Sequence, residues 1–144
     1  MLDLIMCIDD DPITLMLIKK VVQKVSFSKE IINAQNGEEA LDILNEFKNI
    51  NNKAPIVKPQ LIFLDLNMPV MGGWEFLDFF NTSNYSDLNN IKVIVLTSTI
   101  DPTDIEKSKT YPNVIDFQSK PITIEMLEHI RSIFSVDFLN DGQT

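Results

Sequence analysis

The 144-residue chain holds a single cysteine, Cys7, so no disulfide can close within it. That excludes a small cross-linked scaffold and favours a reducing compartment. Cys7 stands inside Leu4-Ile5-Met6-Cys7-Ile8 and is expected as a small buried strand residue rather than a reactive thiol. There is one histidine, His129, expected to face solvent on the last helix. With one thiol and one imidazole, the donors that zinc and copper sites gather are missing. Long apolar runs are missing too. No stretch approaches the length of a membrane span, and no charged segment precedes an apolar one at the start. Positive charge is scarce: 12 Lys and Arg face 21 Asp and Glu, for a net charge of −9. Such a field repels phosphate backbones and anionic lipid heads, so neither nucleic acid nor a membrane is an expected partner. A cytoplasmic protein is the expectation.

Hydrophobic residues make up 44% of the chain and charged residues 23%, enough apolar material for the core of one domain. It is laid out in short runs: Leu2–Ile8, Ile31–Ala34, Leu61–Leu64, Ile91–Leu96 and Val114–Phe117. The first, third and fourth are nearly continuous, the pattern of strands buried on both faces of a parallel sheet. Helical spacing fills the intervals. Asp11-Pro12 caps a first helix carrying Leu15, Ile18, Val22 and Val25. Asn36-Gly37 opens a second with Leu41, Leu44 and Phe47, and Gly73 a third with Phe76, Leu77 and Phe80. Asp101-Pro102 caps a fourth. Thr123 starts a fifth with Ile130, Ile133 and Phe134 inward. Five β–α repeats joined by right-handed crossovers predict an α/β, doubly wound parallel sheet of the flavodoxin-like kind, strand order 2-1-3-4-5.

Two polar stretches, Lys48–Gln60 and Asn81–Asn90, are expected as solvated loops at the amino ends of strands. Residues 1–134 are expected to form the domain. Ser135–Thr144 reads as a polar tail, with no effector domain after it.

The chemistry gathers where ligands of such sheets bind, beyond the carboxyl ends of the strands. Strand one ends in Asp9-Asp10-Asp11 and strand three in Asp65. Strand four ends in Thr97-Ser98, and Lys120-Pro121 follows strand five. Carboxylates on neighbouring strands repel and raise each other's pKa, so a cation is expected between them. Oxygen donors without histidine or a second cysteine favour Mg²⁺. A divalent ion beside an aspartate, with a lysine and a hydroxyl near, is the equipment of phosphoryl transfer, and the carboxylate can itself be the nucleophile.

On these residues the chain resembles a two-component response-regulator receiver domain. The resemblance rests on the acidic pair Asp9-Asp10, on Asp65 within Leu64-Asp65-Leu66-Asn67-Met68-Pro69, on Thr97, on Phe117 in strand five, and on Lys120-Pro121. It implies Asp65 as the phosphoacceptor and Mg²⁺, replaceable by Mn²⁺, held by Asp9, Asp10, Asp65 and the backbone carbonyl of Asn67. It implies Thr97 and Lys120 on the phosphoryl oxygens, a cis Lys120-Pro121 bond, and Thr97 with Phe117 as the switch pair. The implied donor is a histidine kinase or histidine phosphotransfer protein. The output is partner binding through helix four, strand five and helix five, to a downstream protein that the residues do not name. The resemblance describes a signalling switch, not a metabolic enzyme. Asp11 is expected as a helix cap rather than a ligand, and Trp74 and Phe76 as helix and core residues. Helix four, with Ile105 as its one large apolar anchor, is expected to be short and easily displaced.

Three other readings are weaker. A haloacid-dehalogenase-type phosphohydrolase needs a general acid two residues after its nucleophile, where Asn67 stands. A flavin module needs a Ser/Thr/Gly-rich phosphate loop where the three aspartates lie. A receiver degenerated to a pure interaction module would have lost site residues that are all present here.

Overall fold

The nearly continuous apolar runs form the centre of a sheet. The computed structural model describes residues 1–48 and 57–142, with 135–142 as backbone only. In chain order the elements are β1 (Leu2–Ile8), α1 (Pro12–Lys24), β2 (Ser28–Ala34), α2 (Gly37–Lys48) and β3 (Leu61–Leu64). Then come α3 (Gly73–Phe80), β4 (Lys92–Thr97), α4 (Pro102–Ser108), β5 (Val114–Ser119) and α5 (Ile124–Gly142). The five strands are parallel, in the order β2-β1-β3-β4-β5, as the sequence predicts.

Side chains alternate across the sheet because the strand period is two. Met6, Ile8, Ile62 and Leu64 join Leu41, Leu44, Phe76, Leu77 and Phe80 of α2 and α3 on one face. Ile5, Cys7, Leu61 and Phe63 join Ile18 and Val22 of α1 and Leu127, Ile130 and Phe134 of α5 on the other. Cys7 is buried as expected. Its thiol is pushed far above the usual range, by burial first and then by the charge of Asp9, so it is inert.

Local signals place the helix starts. The Asp11 carboxylate accepts from the Ile13 N–H at 2.9 Å, and the Asp101 carboxylate from the Thr103 N–H at 2.9 Å, each beside a proline in the first turn.

Three stretches depart from expectation or fall outside it. Asn81–Asn90 is not simply a solvated loop: it folds into a 3-10 turn over Ser83–Leu88 that buries Tyr85 and Leu88 in the core. Two apolar anchors among polar neighbours were enough to pin it. The final helix does not stop near Phe134 but runs on through residues 135–142. Of the loop expected over Lys48–Gln60, residues 49–56 lie outside the described residues. Among the described residues, no helix is long and apolar enough to cross a membrane.

Candidate functional site

Register brings the polar residues together. Ile8 of β1 lies opposite Leu64 of β3, so the next residues, Asp9 and Asp65, leave the sheet side by side. The Asp65 N–H donates to the Ile8 carbonyl at 2.9 Å, extending the ladder by one residue. On the other flank Thr97 of β4 lies opposite Ser119 of β5. The Lys120 N–H donates to the Thr97 carbonyl at 2.7 Å. Four neighbouring strands thus deliver Asp9, Asp65, Thr97 and Lys120 to one edge.

Asp9 is 3% exposed and Asp65 5%, while Asp10 is exposed. Carboxylate oxygens of the three aspartates lie within 4.8 Å of one another. The Lys120 ammonium reaches across, 2.7 Å from Asp9 Oδ2 and 3.5 Å from Asp65 Oδ2. The Asp11 N–H donates to Asp9 Oδ1 at 2.9 Å, and the Asn67 N–H to Asp65 Oδ1 at 3.4 Å. Asp11 therefore caps α1 with its side chain and holds Asp9 with its backbone. Residue types alone carry no signal for that second role.

Burial, and after it the charge of Asp9, raises the pKa of Asp65; Lys120 and the Asn67 N–H act in the opposite direction. Burial by itself would lower the pKa of Lys120. The hydrogen bond and charge of Asp9, followed by Asp65, outweigh it, and the net shift is upward. One cation for three clustered carboxylates leaves an excess of negative charge at the strand ends. An all-oxygen, anionic donor set of this kind fits a hard divalent cation.

Thr97 is fully buried, and its Oγ1 finds no hydrogen-bond partner among the described residues. Such a group costs roughly 1–3 kcal/mol if left unsatisfied, and it lies beside the Lys120 backbone. Phe117, half-buried on β5, lies opposite Val95, two positions before Thr97 on β4. The Lys120–Pro121 peptide bond is cis. His129 is exposed, with Nε2 3.6 Å from Asp116 and away from the site.

The loop carrying Asn67 is held by two glycines, Gly37 and Gly73, that the sequence marks only as helix starts. A Cβ on Gly73 would stand 2.7 Å from the Asp65 carbonyl oxygen and 2.8 Å from Leu66 Cα. Only glycine lets α3 begin so close to the strand end. The Gly37 N–H at the start of α2 donates to the Met71 carbonyl at 2.9 Å, fastening the loop from the other side.

Comparison with known proteins agrees with this geometry. Residues 5–131 match the family model of the response regulator receiver domain. A two-component response regulator from Cytophaga hutchinsonii superposes with a TM-score of 0.80 at 30% identity, covering 91% of this chain and 95% of that one. The Mn²⁺-bound form of response regulator Rcp1 superposes with a TM-score of 0.71 at 26% identity, covering 92% and 94%. Hybrid signal transduction histidine kinase C of Dictyostelium discoideum is 29% identical over 130 residues. The match takes in 88% of this chain and spans only 10% of the kinase. With the strand order and the clustered aspartates already in place, the chain belongs to the response regulator receiver domain family, the phosphoryl-accepting signalling switches of two-component systems.

Proposed function

We propose that the phosphoryl group is accepted by Asp65, with Mg²⁺ held by Asp9, Asp10, Asp65 and the backbone carbonyl of Asn67. The observation that carries this reading is the Lys120 ammonium shared between Asp9 and Asp65, with the unpartnered Thr97 hydroxyl on the adjoining strand. A site with an excess of carboxylate, one ammonium and one spare hydroxyl donor is suited to receive a dianionic group together with a divalent cation. When bound, that cation supplies charge neutralisation and alignment for the incoming phosphoryl group. The Mn²⁺-bound form of Rcp1 supports a divalent ion here and Mn²⁺ as a substitute for Mg²⁺.

In the transfer, a carboxylate oxygen of Asp65 attacks the phosphorus of a phosphohistidine on a histidine kinase or phosphotransfer protein. The new O–P bond forms as the P–N bond breaks, and the bonding pair returns to the imidazole. Lys120 then has a phosphoryl oxygen to pair with in addition to Asp9. Thr97 turns its hydroxyl toward another, which satisfies a group otherwise unpaired. Its inward movement frees space for Phe117. The surface of α4, β5 and α5 shifts with it, a change of population rather than a new state. Residues 1–134 form the unit that does this.

Intact-mass spectrometry after incubation with acetyl phosphate and Mg²⁺ tests the proposal. The expected result is a gain of one phosphoryl group, abolished by a chelator and by Asp65→Asn. Equal phosphorylation of the Asp65→Asn variant overturns the assignment.

A further inference from the structure

Apart from the site, the side chains that bind α3 to the end of α4 form a compact set with no part in the chemistry. Trp74, the only tryptophan of the chain, lies in the first turn of α3. Its ring stacks on Tyr111 with centroids 5.6 Å apart and planes 20° from parallel. The Lys107 ammonium of α4 sits 4.8 Å from the centre of the same indole. The Tyr111 hydroxyl donates to Asp78 Oδ1 of α3 at 2.6 Å. Burial, and then the hydrogen bond to Asp78, pushes the Tyr111 phenol up to about 12, so the donor is kept protonated. Tyr111 lies in the turn between α4 and β5, and thus α3 grips both the helix and its exit.

The two sides of this grip are unequal. α3 is fixed to the core by Phe76, Leu77 and Phe80, which are 0%, 0% and 1% exposed. α4 has seven residues. Its one large aliphatic side chain, Ile105, is only half-buried, and Ser108 is its one buried residue. A helix so short cannot hold itself in place by its own apolar face. Any displacement of α4 must carry Lys107 and Tyr111 off the Trp74 ring or drag a core-anchored helix along.

We infer that Trp74, Lys107, Tyr111 and Asp78 form a clasp that holds α4 against α3, and that its release is coupled to phosphorylation of Asp65. The inference rests on the functional reading above, because it takes movement of α4 as part of the output. In this scheme the clasp biases the switch toward the arrangement in which α4 is docked. Weakening it lowers the cost of the displaced arrangement without touching any residue that meets the phosphoryl group.

Amide exchange of residues 102–110 tests it, measured in the wild type, Tyr111→Phe and Trp74→Leu, before and after treatment with acetyl phosphate and Mg²⁺. Tyr111→Phe keeps the ring and removes only the hydroxyl, so it guards against a general folding defect. Exchange in α1 is the internal control. Before phosphorylation, both variants are expected to exchange faster in α4 than the wild type, by about tenfold for Trp74→Leu, with α1 unchanged. After phosphorylation, exchange in wild-type α4 is expected to rise toward the level of the variants. Equal protection of α4 in wild type and both variants overturns the clasp. A wild type that gains one phosphoryl group by mass, yet keeps its α4 protection, overturns the coupling while leaving the functional reading intact. No phosphoryl gain in the wild type overturns both.

Discussion

Asp9 and Asp65 directly follow β1 and β3, strands buried at almost every position. α1 covers one face of them with Ile18 and Val22, which are 1% and 0% exposed. Thr97 and Lys120 stand at the ends of β4 and β5. β5 is half-buried at all six positions, and α4 beside it is a seven-residue helix. The charges that must hold fixed positions are therefore set in the densely packed half of the molecule. Of the groups that respond, Phe117 stands on the lightly packed β5, while Thr97 is fully buried at the end of the densely packed β4, its hydroxyl without a partner among the described residues. Position requires packing, since buried carboxylates repel each other and water does not help to hold them. Movement of a ring or a helix requires its absence.

The sharpest contrast is in core truncation. Phe76→Ala, in the packed half, should cost roughly 3–5 kcal/mol by urea unfolding. A cost near that of a surface substitution would break the comparison. Next comes Lys120→Met, which leaves Asp9 and Asp65 without their shared cation and should destabilise by about 2 kcal/mol. Removing Lys120 raises the pKa of Asp65 further. A raised carboxylate pKa adds stability below its unfolded value and loses it as pH rises through the folded one. The deficit of Lys120→Met should accordingly narrow on acidification, and Mg²⁺ should restore more stability to the variant than it adds to the wild type. Thermal melts across pH, with and without the metal, read both effects.

Thr97→Val is smaller and opposite in sign. Removing a hydroxyl that has no partner among the described residues should leave stability unchanged or raise it by up to about 1 kcal/mol, while weakening retention of the phosphoryl group. A clear loss of stability would mean that the hydroxyl is already satisfied. Smallest is Ile105→Ala in α4, expected below about 1 kcal/mol because the side chain is only half-buried. A larger cost would show α4 to be held by its own apolar face rather than through Trp74 and Tyr111.

Much of this division can be read from residues. β1 and β3 have the bounds that their apolar runs predict, because strands buried on both faces tolerate little else. The caps at Asp11 and Asp101 are legible because capping is local chemistry. β2 begins three residues before its apolar run, at Ser28, because an edge strand can carry the exposed Lys29 and Glu30. The turn that buries Tyr85 and Leu88 was hidden by its polar composition. α5 passes the expected end because polar residues do not halt a helix that is already nucleated. At the site, the residue types were legible and their partners were not. The bridge from Lys120 to Asp9, the Asp11 N–H on Asp9 and the stacking of Trp74 on Tyr111 depend on where separate elements meet. No single stretch of sequence records that.

The central claim, acceptance of the phosphoryl group on Asp65, is tested most directly by chemical trapping. After treatment with acetyl phosphate and Mg²⁺, borohydride reduces an acyl phosphate to an alcohol, and peptide sequencing by mass spectrometry locates the resulting homoserine. Homoserine in place of Asp65 alone is the predicted result. Homoserine in place of Asp9 or Asp10, or none in protein that has gained a phosphoryl group, would contradict it.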